Sequence, residues 1–218
     1  MADPEDIKEY HENLMRVVED KEGWTHIVEK KGIVVESKSY DDDPIPTLRG
    51  TGIIQAPASK VLELLLNSDE RPKWDLFYDS GKKIMQLDEN TALCYLKTKS
   101  NYAVWPRDFC FLVHGQHLEG PGGRDSEKEL RLVSSSVDSD DAPPVSGIVR
   151  GQIINGGYRL LPIQSPDGAY NWTQATYVIQ IDIAGWIPGN VASMVNTYQP
   201  LSLIGIRKCL TGSTDPPN

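Results

Sequence analysis

The chain has 218 residues, with 22 Lys and Arg against 31 Asp and Glu, a formal net charge of -9, and three cysteines. That length fits one large domain with an ample core, while the acidic balance speaks against nucleic acid, whose phosphates need clustered Lys and Arg, and against charge-driven adhesion to anionic membranes. Cys94, Cys110 and Cys209 are odd in number and lack CxxC spacing, so reduced, buried thiols fit better than disulfides or zinc.

The start, Met1-Ala2-Asp3-Pro4-Glu5-Asp6, is acidic and leads into an amphipathic pattern. It resembles neither a signal peptide nor an arginine-rich transit sequence, and a cytoplasmic protein is expected. Asp3 and Pro4 cap a first helix whose Ile7, Tyr10, Leu14, Val17 and Val18 form one apolar stripe. Residues 24–29 and 32–38 read as a hairpin and 47–55 as a third strand, because β-branched residues dominate and Gly or Pro clusters bound them. Pro57 opens a second helix with Val61, Leu62, Leu64, Leu65 and Leu66 on a wide apolar face, and Arg71-Pro72-Lys73-Trp74-Asp75 starts a further short turn.

Strands follow at 82–87, 91–99, 108–117, 129–137, 148–163 and 173–183, and the Ser/Asp/Pro run 134–144 reads as a hairpin loop. The last strand is the cleanest: Ala175, Tyr177, Ile179, Ile181 and Ile183 point one way, while Gln174, Thr176, Gln180 and Asp182 point the other. Residues 183–206 then carry no charge, yet Trp186, Pro188, Asn190, Asn196 and Pro200 make them too polar and interrupted for a bilayer span of about 20 apolar residues. A packed final helix is predicted, starting near Pro188 and Asn190, with Val191, Met194, Val195, Tyr198, Leu201 and Gly205 on one face. Pro200 should bend or split it, and Arg207 and Lys208 close it with the charge that a helix C-terminus favours. The fold class is α+β, an antiparallel sheet with one face covered by the flanking helical regions.

Four motifs in this order carry a resemblance to the StAR-related lipid-transfer (START) family. They are Arg71-Pro72-Lys73-Trp74-Asp75, Trp105-Pro106-Arg107-Asp108-Phe109, Val149-Arg150-Gly151 ahead of Gly156-Gly157-Tyr158, and Asp182-Ile183-Ala184-Gly185-Trp186-Ile187-Pro188. The resemblance covers residues 1–210, with 211–218 as a disordered tail. It implies a helix-grip fold, in which a curved antiparallel sheet wraps a long C-terminal helix around an internal lipid cavity. It also implies a carrier of one lipid monomer between membranes, a monomer without a cofactor that touches the membrane surface only in passing.

The resemblance names the site candidates. Arg71 stands where phosphatidylcholine carriers of the family place an arginine on the lipid phosphate, and its planar donor fork suits a phosphate. Cys94 and Val113 fall where sterol-binding members often place an acid and an arginine, so the buried pair that orients a sterol hydroxyl is missing. Glycerophospholipid is therefore favoured over sterol. Tyr177, Met194, Val195 and Tyr198 are candidate cavity walls, and Tyr102, Trp105 and Trp186 candidate lid or membrane contacts. Alternatives are a sterol carrier, a lipid sensor that signals to a protein partner, and an enzyme, since some helix-grip relatives cyclise polyketides. No nucleophile elbow, HExxH or phosphate-cradling glycine loop is present. His114 and His117, three apart on a strand, face opposite sides, and His11 and His26 lie in separate elements, so neither catalytic nor metal-ligating residues are expected.

Overall fold

The structure, a computed structural model, describes residues 4–41, 43–100, 105–119, 128–185 and 198–217. In chain order the described elements are α1 (Pro4–Glu19), β1 (Thr25–Lys30), β2 (Ile33–Lys38), β3 (Thr47–Ile54), α2 (Ala58–Leu66), a 3-10 turn (Arg71–Lys73), β4 (Tyr78–Gln86), β5 (Thr91–Thr98), β6 (Arg107–Leu118), β7 (Glu129–Ser136), β8 (Val149–Arg150), β9 (Gln152–Ile163), β10 (Trp172–Asp182) and α3 (Ser202–Thr211). The strands form one sheet in the order β1-β2-β3-β10-β9-β7-β6-β5-β4. The two residues of β8 pair in parallel with β6; the other pairings are antiparallel.

Register decides which side chains share a face. Cys94 stands opposite Phe111, Val113 opposite Ser134, Leu132 opposite Tyr158, and Tyr158 opposite Tyr177. Because alternate residues of a strand point the same way, all of these belong to one face. On it α2, α3 and Trp74 complete the main core with Val61, Leu65, Leu160, Ala175, Leu203 and Ile206. The first helix takes the other face, where Leu14, Val17 and Val18 pack on Val133 and Val178. Leu93, Cys110 and Leu112 with Ala142 fill a third cluster. Cys110 is buried, as expected of a structural thiol, but Cys209 is exposed.

Several expectations from sequence are corrected. The run 148–163 is two strands, broken at Gly151, where a Cβ would lie 2.3 Å from Phe109 Cε1. Only a residue without a side chain lets the backbone pass that ring. β4 begins at Tyr78, ahead of the predicted 82, because two register shifts hide its alternation. Neighbours on a strand point to opposite faces, so Arg107 and Asp108 have separate structural partners. Arg107 donates to the carbonyls of Trp105, Ile183 and Ala184, while Asp108, fully buried, accepts from Arg150 and Tyr95.

The final helix is interrupted at Pro200 as expected, its predicted start near Pro188 and Asn190 lies outside the described residues, and the difference is at Arg207. Pro200 lies in a turn, α3 starts just after it, and Gly50 leaves room for the proline, since a Cβ there would sit 2.5 Å from Pro200 Cβ. Arg207 is not a surface charge at the helix end but is fully buried. Its Nε donates to Ile53 O at 2.9 Å, and its Nη1 to Lys31 O at 2.6 Å and Thr214 O at 3.1 Å. The residues after Gly212 fold back on the first hairpin, with Lys31 Nζ 2.6 Å from Asp215 Oδ1. One guanidinium thus joins the β1–β2 turn, β3 and the C-terminal segment. Replacing Arg207 by Met strands those carbonyls, and urea denaturation should show a loss of about 3 kcal/mol.

On the outer face His11 Nε2 and His114 Nδ1 lie 2.8 Å apart, linking α1 to β6. Burial, followed by the charges of His114 and Arg131, lowers the His11 pKa from 6.5 to about 4, and burial lowers that of His114 as well. A histidine with a depressed pKa binds its proton more readily in the unfolded chain, so the stability it contributes is complete above pH 6.5 and is lost as pH falls toward 4. Denaturation midpoints should therefore fall across this window, and less steeply in His11→Gln.

Candidate functional site

The inner face of the sheet is not filled evenly. Near β3, β9 and β10 its side chains Leu48, Leu160, Ala175 and Ile179 are buried beneath α2 and α3. Toward β5, β6 and β7 the same face presents the half-buried Ala92, Cys94, Leu96, Val113 and Leu132 among the buried Phe109, Phe111 and Leu130. These partly accessible side chains form an apolar surface, on which hydrocarbon would be favourably buried.

At the junction of the two regions stands Arg71. The 3-10 turn that carries it follows from Pro72 at a position where a missing donor costs nothing, and Trp74, 4% exposed, pins the turn to the core beneath Gly205 of α3. Arg71 Nε donates to Asp75 Oδ2 at 3.0 Å, one helical turn on. Its guanidinium lies 5.2 Å from the centroid of Trp74 and 5.4 Å from that of Tyr78, within reach of both ring faces. Burial opposes its charge, but Asp75 and then Tyr158 and Tyr177 outweigh it and hold the pKa above the ordinary arginine value. The same charge acts on the Cys94 thiol, whose pKa burial nonetheless pushes up. Arg71 keeps 29% of its side-chain surface accessible although burial is the largest influence on it. A cation that is largely surrounded yet still accessible can meet a ligand from one side.

Tyr158 and Tyr177 form the floor beside it. Their rings stack with centroids 4.3 Å apart and planes within 4° of parallel. Burial raises both phenol pKa values, so the hydroxyls remain protonated donors. Trp74 Nε1 is also buried without a hydrogen-bond partner among the described residues, while the Ser202 hydroxyl lies beside that of Tyr158. Buried donors that lack acceptors are uncommon and call for an explanation. One cation and several neutral donors thus gather at one pole of an apolar surface.

The sequence candidates distribute as follows. Arg71, Cys94 and Tyr177 come together on the inner side, and Val113 stands on the same face, opposite Ala92 of β5. Trp105 is 67% exposed and Tyr198 is 41% exposed. Tyr102, Trp186, Met194 and Val195 lie outside the described residues. Tyr158, Asp75 and Tyr78 were missed. A signal for Tyr158 was present in the Gly156-Gly157-Tyr158 motif, but its partner across the strands becomes visible only with the register.

Comparison with known proteins places this arrangement. A model of the START domain matches residues 7–212. The chain belongs to the START family. It is 30% identical to human StAR-related lipid transfer protein 6 over 189 residues, covering 85% of this chain and 79% of that protein. It is 24% identical over 175 residues to Protein ENHANCED DISEASE RESISTANCE 2-like of Arabidopsis thaliana, covering 76% of this chain but only 23% of that protein's length. Human StAR-related lipid transfer protein 5 superposes with a TM-score of 0.77 at 22% identity, covering 93% of this chain and 95% of that one, which establishes the helix-grip fold. Among the described residues of this START domain, no helix is long and apolar enough to cross a membrane.

Proposed function

We propose that this START domain binds one lipid monomer against the inner face of its sheet and transfers it between membranes, with a glycerophospholipid favoured over a sterol and no chemistry performed on the cargo. The observation that carries the reading is Arg71: a deep but accessible cation, beside protonated phenols, at the edge of a half-buried apolar surface. An amphiphile with a phosphate at one end and hydrocarbon along the rest matches that polarity. Asp75 takes only the Nε side of the guanidinium in the contacts described, and Arg71 has further N–H groups suited to phosphate oxygens. The name of the human relative, a lipid transfer protein, agrees with transport.

The energetics explain why such a protein is needed. Each lipid methylene buried in a membrane is worth about 0.8 kcal/mol, so ~30 of them hold a two-chain lipid by roughly 20 kcal/mol. A carrier must offer comparable apolar contact. Cys94 and Val113 supply no charged pair for a sterol hydroxyl, and this is why the phospholipid is preferred. Trp105 is exposed at the start of β6, where an indole suits the boundary between water and headgroups, and only transient contact through such groups is expected of an acidic monomer.

The wild-type protein should extract lipid from liposomes and carry one molecule in native mass spectrometry; failure to do so overturns the carrier reading. Arg71→Met should slow phospholipid transfer about tenfold, the loss of a charge-assisted hydrogen bond, and spare sterol transfer. The paired variant Arg71→Met/Asp75→Asn removes the stranded carboxylate and should behave alike. Equal loss of both cargoes would assign Arg71 to folding.

A further inference from the structure

The outer face holds a cleft that lipid binding does not use. Leu14, Val17 and Val18 seat α1 on Val133 of β7 and Val178 of β10. The adjacent flank of the helix, Lys8, His11, Glu12 and Met15 at i, i+3, i+4 and i+7, faces β6 and β7 across a cleft of about 450 Å³. On the strands His114 and Gln116 alternate onto this side, and Gln116 stands opposite Arg131. Lys8 and Arg131 meet only one acid in the lining, Glu12, so the cleft carries a surplus positive charge although the chain as a whole is acidic. We propose that this cleft binds a small aliphatic monocarboxylate, with the carboxylate between Lys8 and Arg131 and the hydrocarbon on Ile7 and Met15.

Both cations have donors to spare. Lys8 Nζ lies 3.8 Å from Glu12 Oε1, beyond hydrogen-bond distance, and both side chains are mostly exposed, a pairing worth little. Arg131 Nε donates to Glu129 Oε1 at 2.7 Å, and Arg159 of β9 donates to the other oxygen of the same carboxylate at 2.9 Å. One acid thus serves two guanidiniums, and in the contacts described the Nη groups of Arg131 are left for a second. Asp88, the remaining acid that acts on His114, accepts from the backbone N–H groups of Asn90 and Thr91 in the β4–β5 turn.

The imidazoles report the local potential. After burial, the charges of His114 and Arg131 oppose a proton on His11, and a place that repels a proton attracts an anion. Both rings are neutral at pH 7 and joined by the 2.8 Å contact between His11 Nε2 and His114 Nδ1. With His11 as donor in that contact, His114 carries its proton on Nε2, a further neutral donor. Charge and shape then select the class of ligand. A monoanion cancels the surplus in the lining, whereas a phosphate dianion overshoots it and leaves Ile7 and Met15 facing water. The volume falls within the roughly 300–1,000 Å³ of small-molecule sites.

The test titrates the protein with sodium hexanoate at neutral pH and follows ring resonances by NMR. Those of His11 and His114 should shift together and saturably, ahead of His26 and His117 and with Tyr158 and Tyr177 of the inner face unmoved. Hexanamide, the neutral counterpart, should bind about tenfold more weakly, the worth of a charge-assisted hydrogen bond, and inorganic phosphate should also bind less well than hexanoate. Arg131→Gln leaves Glu129 its bond from Arg159 and should weaken binding about tenfold; Lys8→Gln, at an exposed cation, should weaken it less. The shifts in wild-type protein do not depend on how these variants fold. Absence of a saturable shift at His11 and His114, earlier shifts at Tyr158 and Tyr177, equal binding of hexanamide, tighter binding of phosphate, or full binding in the double variant overturns the proposal.

Discussion

The organisation of this molecule depends on one constraint: a sheet whose register runs unbroken through β5, β6, β7 and β9 and between β10 and β3, with one shift between Gln180 and Ile181 in the β9–β10 pair, must place every second side chain on a common inner side over most of its width. That side is apolar. Helices α2 and α3 satisfy it over β3, β9 and β10, where the core is dense. Over β5, β6 and β7 the same alternation continues with Ala92, Cys94, Leu96 and Val113, whose burial is incomplete. The apolar surface is a consequence of register, and its position beside Arg71 is a consequence of where Trp74 anchors the 3-10 turn.

Two arginines illustrate how differently the same side chain is used. Among the described residues Arg207 has no carboxylate as a hydrogen-bond partner and is held by three backbone carbonyls; its fork is a structural joint, and burial lowers its pKa. Arg71 is ion-paired, stacked near two aromatic rings and still accessible, and its charge is reinforced by its neighbours. The first is consumed by the fold. The second is held in place by the fold but has bonding capacity left, and this difference, more than burial, separates a structural cation from a candidate ligand group.

Much of this was legible in the residues. The stripe Leu14, Val17 and Val18, the alternation of Ala175, Tyr177 and Ile179, and the interruption at Pro200 each rest on local periodicity or backbone sterics, and the structure shows all three. What the residues concealed depends on long-range contact. Arg207 has the sequence context of a surface charge, and the distant carbonyls of Lys31 and Ile53 reveal otherwise. The split at Gly151 is caused by the ring of Phe109, 42 positions earlier. For the site, Arg71 and Tyr177 could be named one at a time, but the stack of Tyr158 on Tyr177 arises from β9 and β10 lying side by side, which no local pattern encodes.

The placement of β3 against β10 bears on how the chain reaches this state. β1, β2 and β3 are complete by Ile54, yet their neighbour begins at Trp172. During synthesis the amino-terminal meander must wait, with the edge of β3 unpaired, until more than half of the polypeptide has followed it. Such distant pairing slows folding and leaves a strand edge available to wrong partners in the interval. Two glycines of that strand, Gly50 and Gly52, weaken it as a template while it waits; Gly52 leaves room for Ile33 of β2, and Gly50 later admits Pro200 against the sheet.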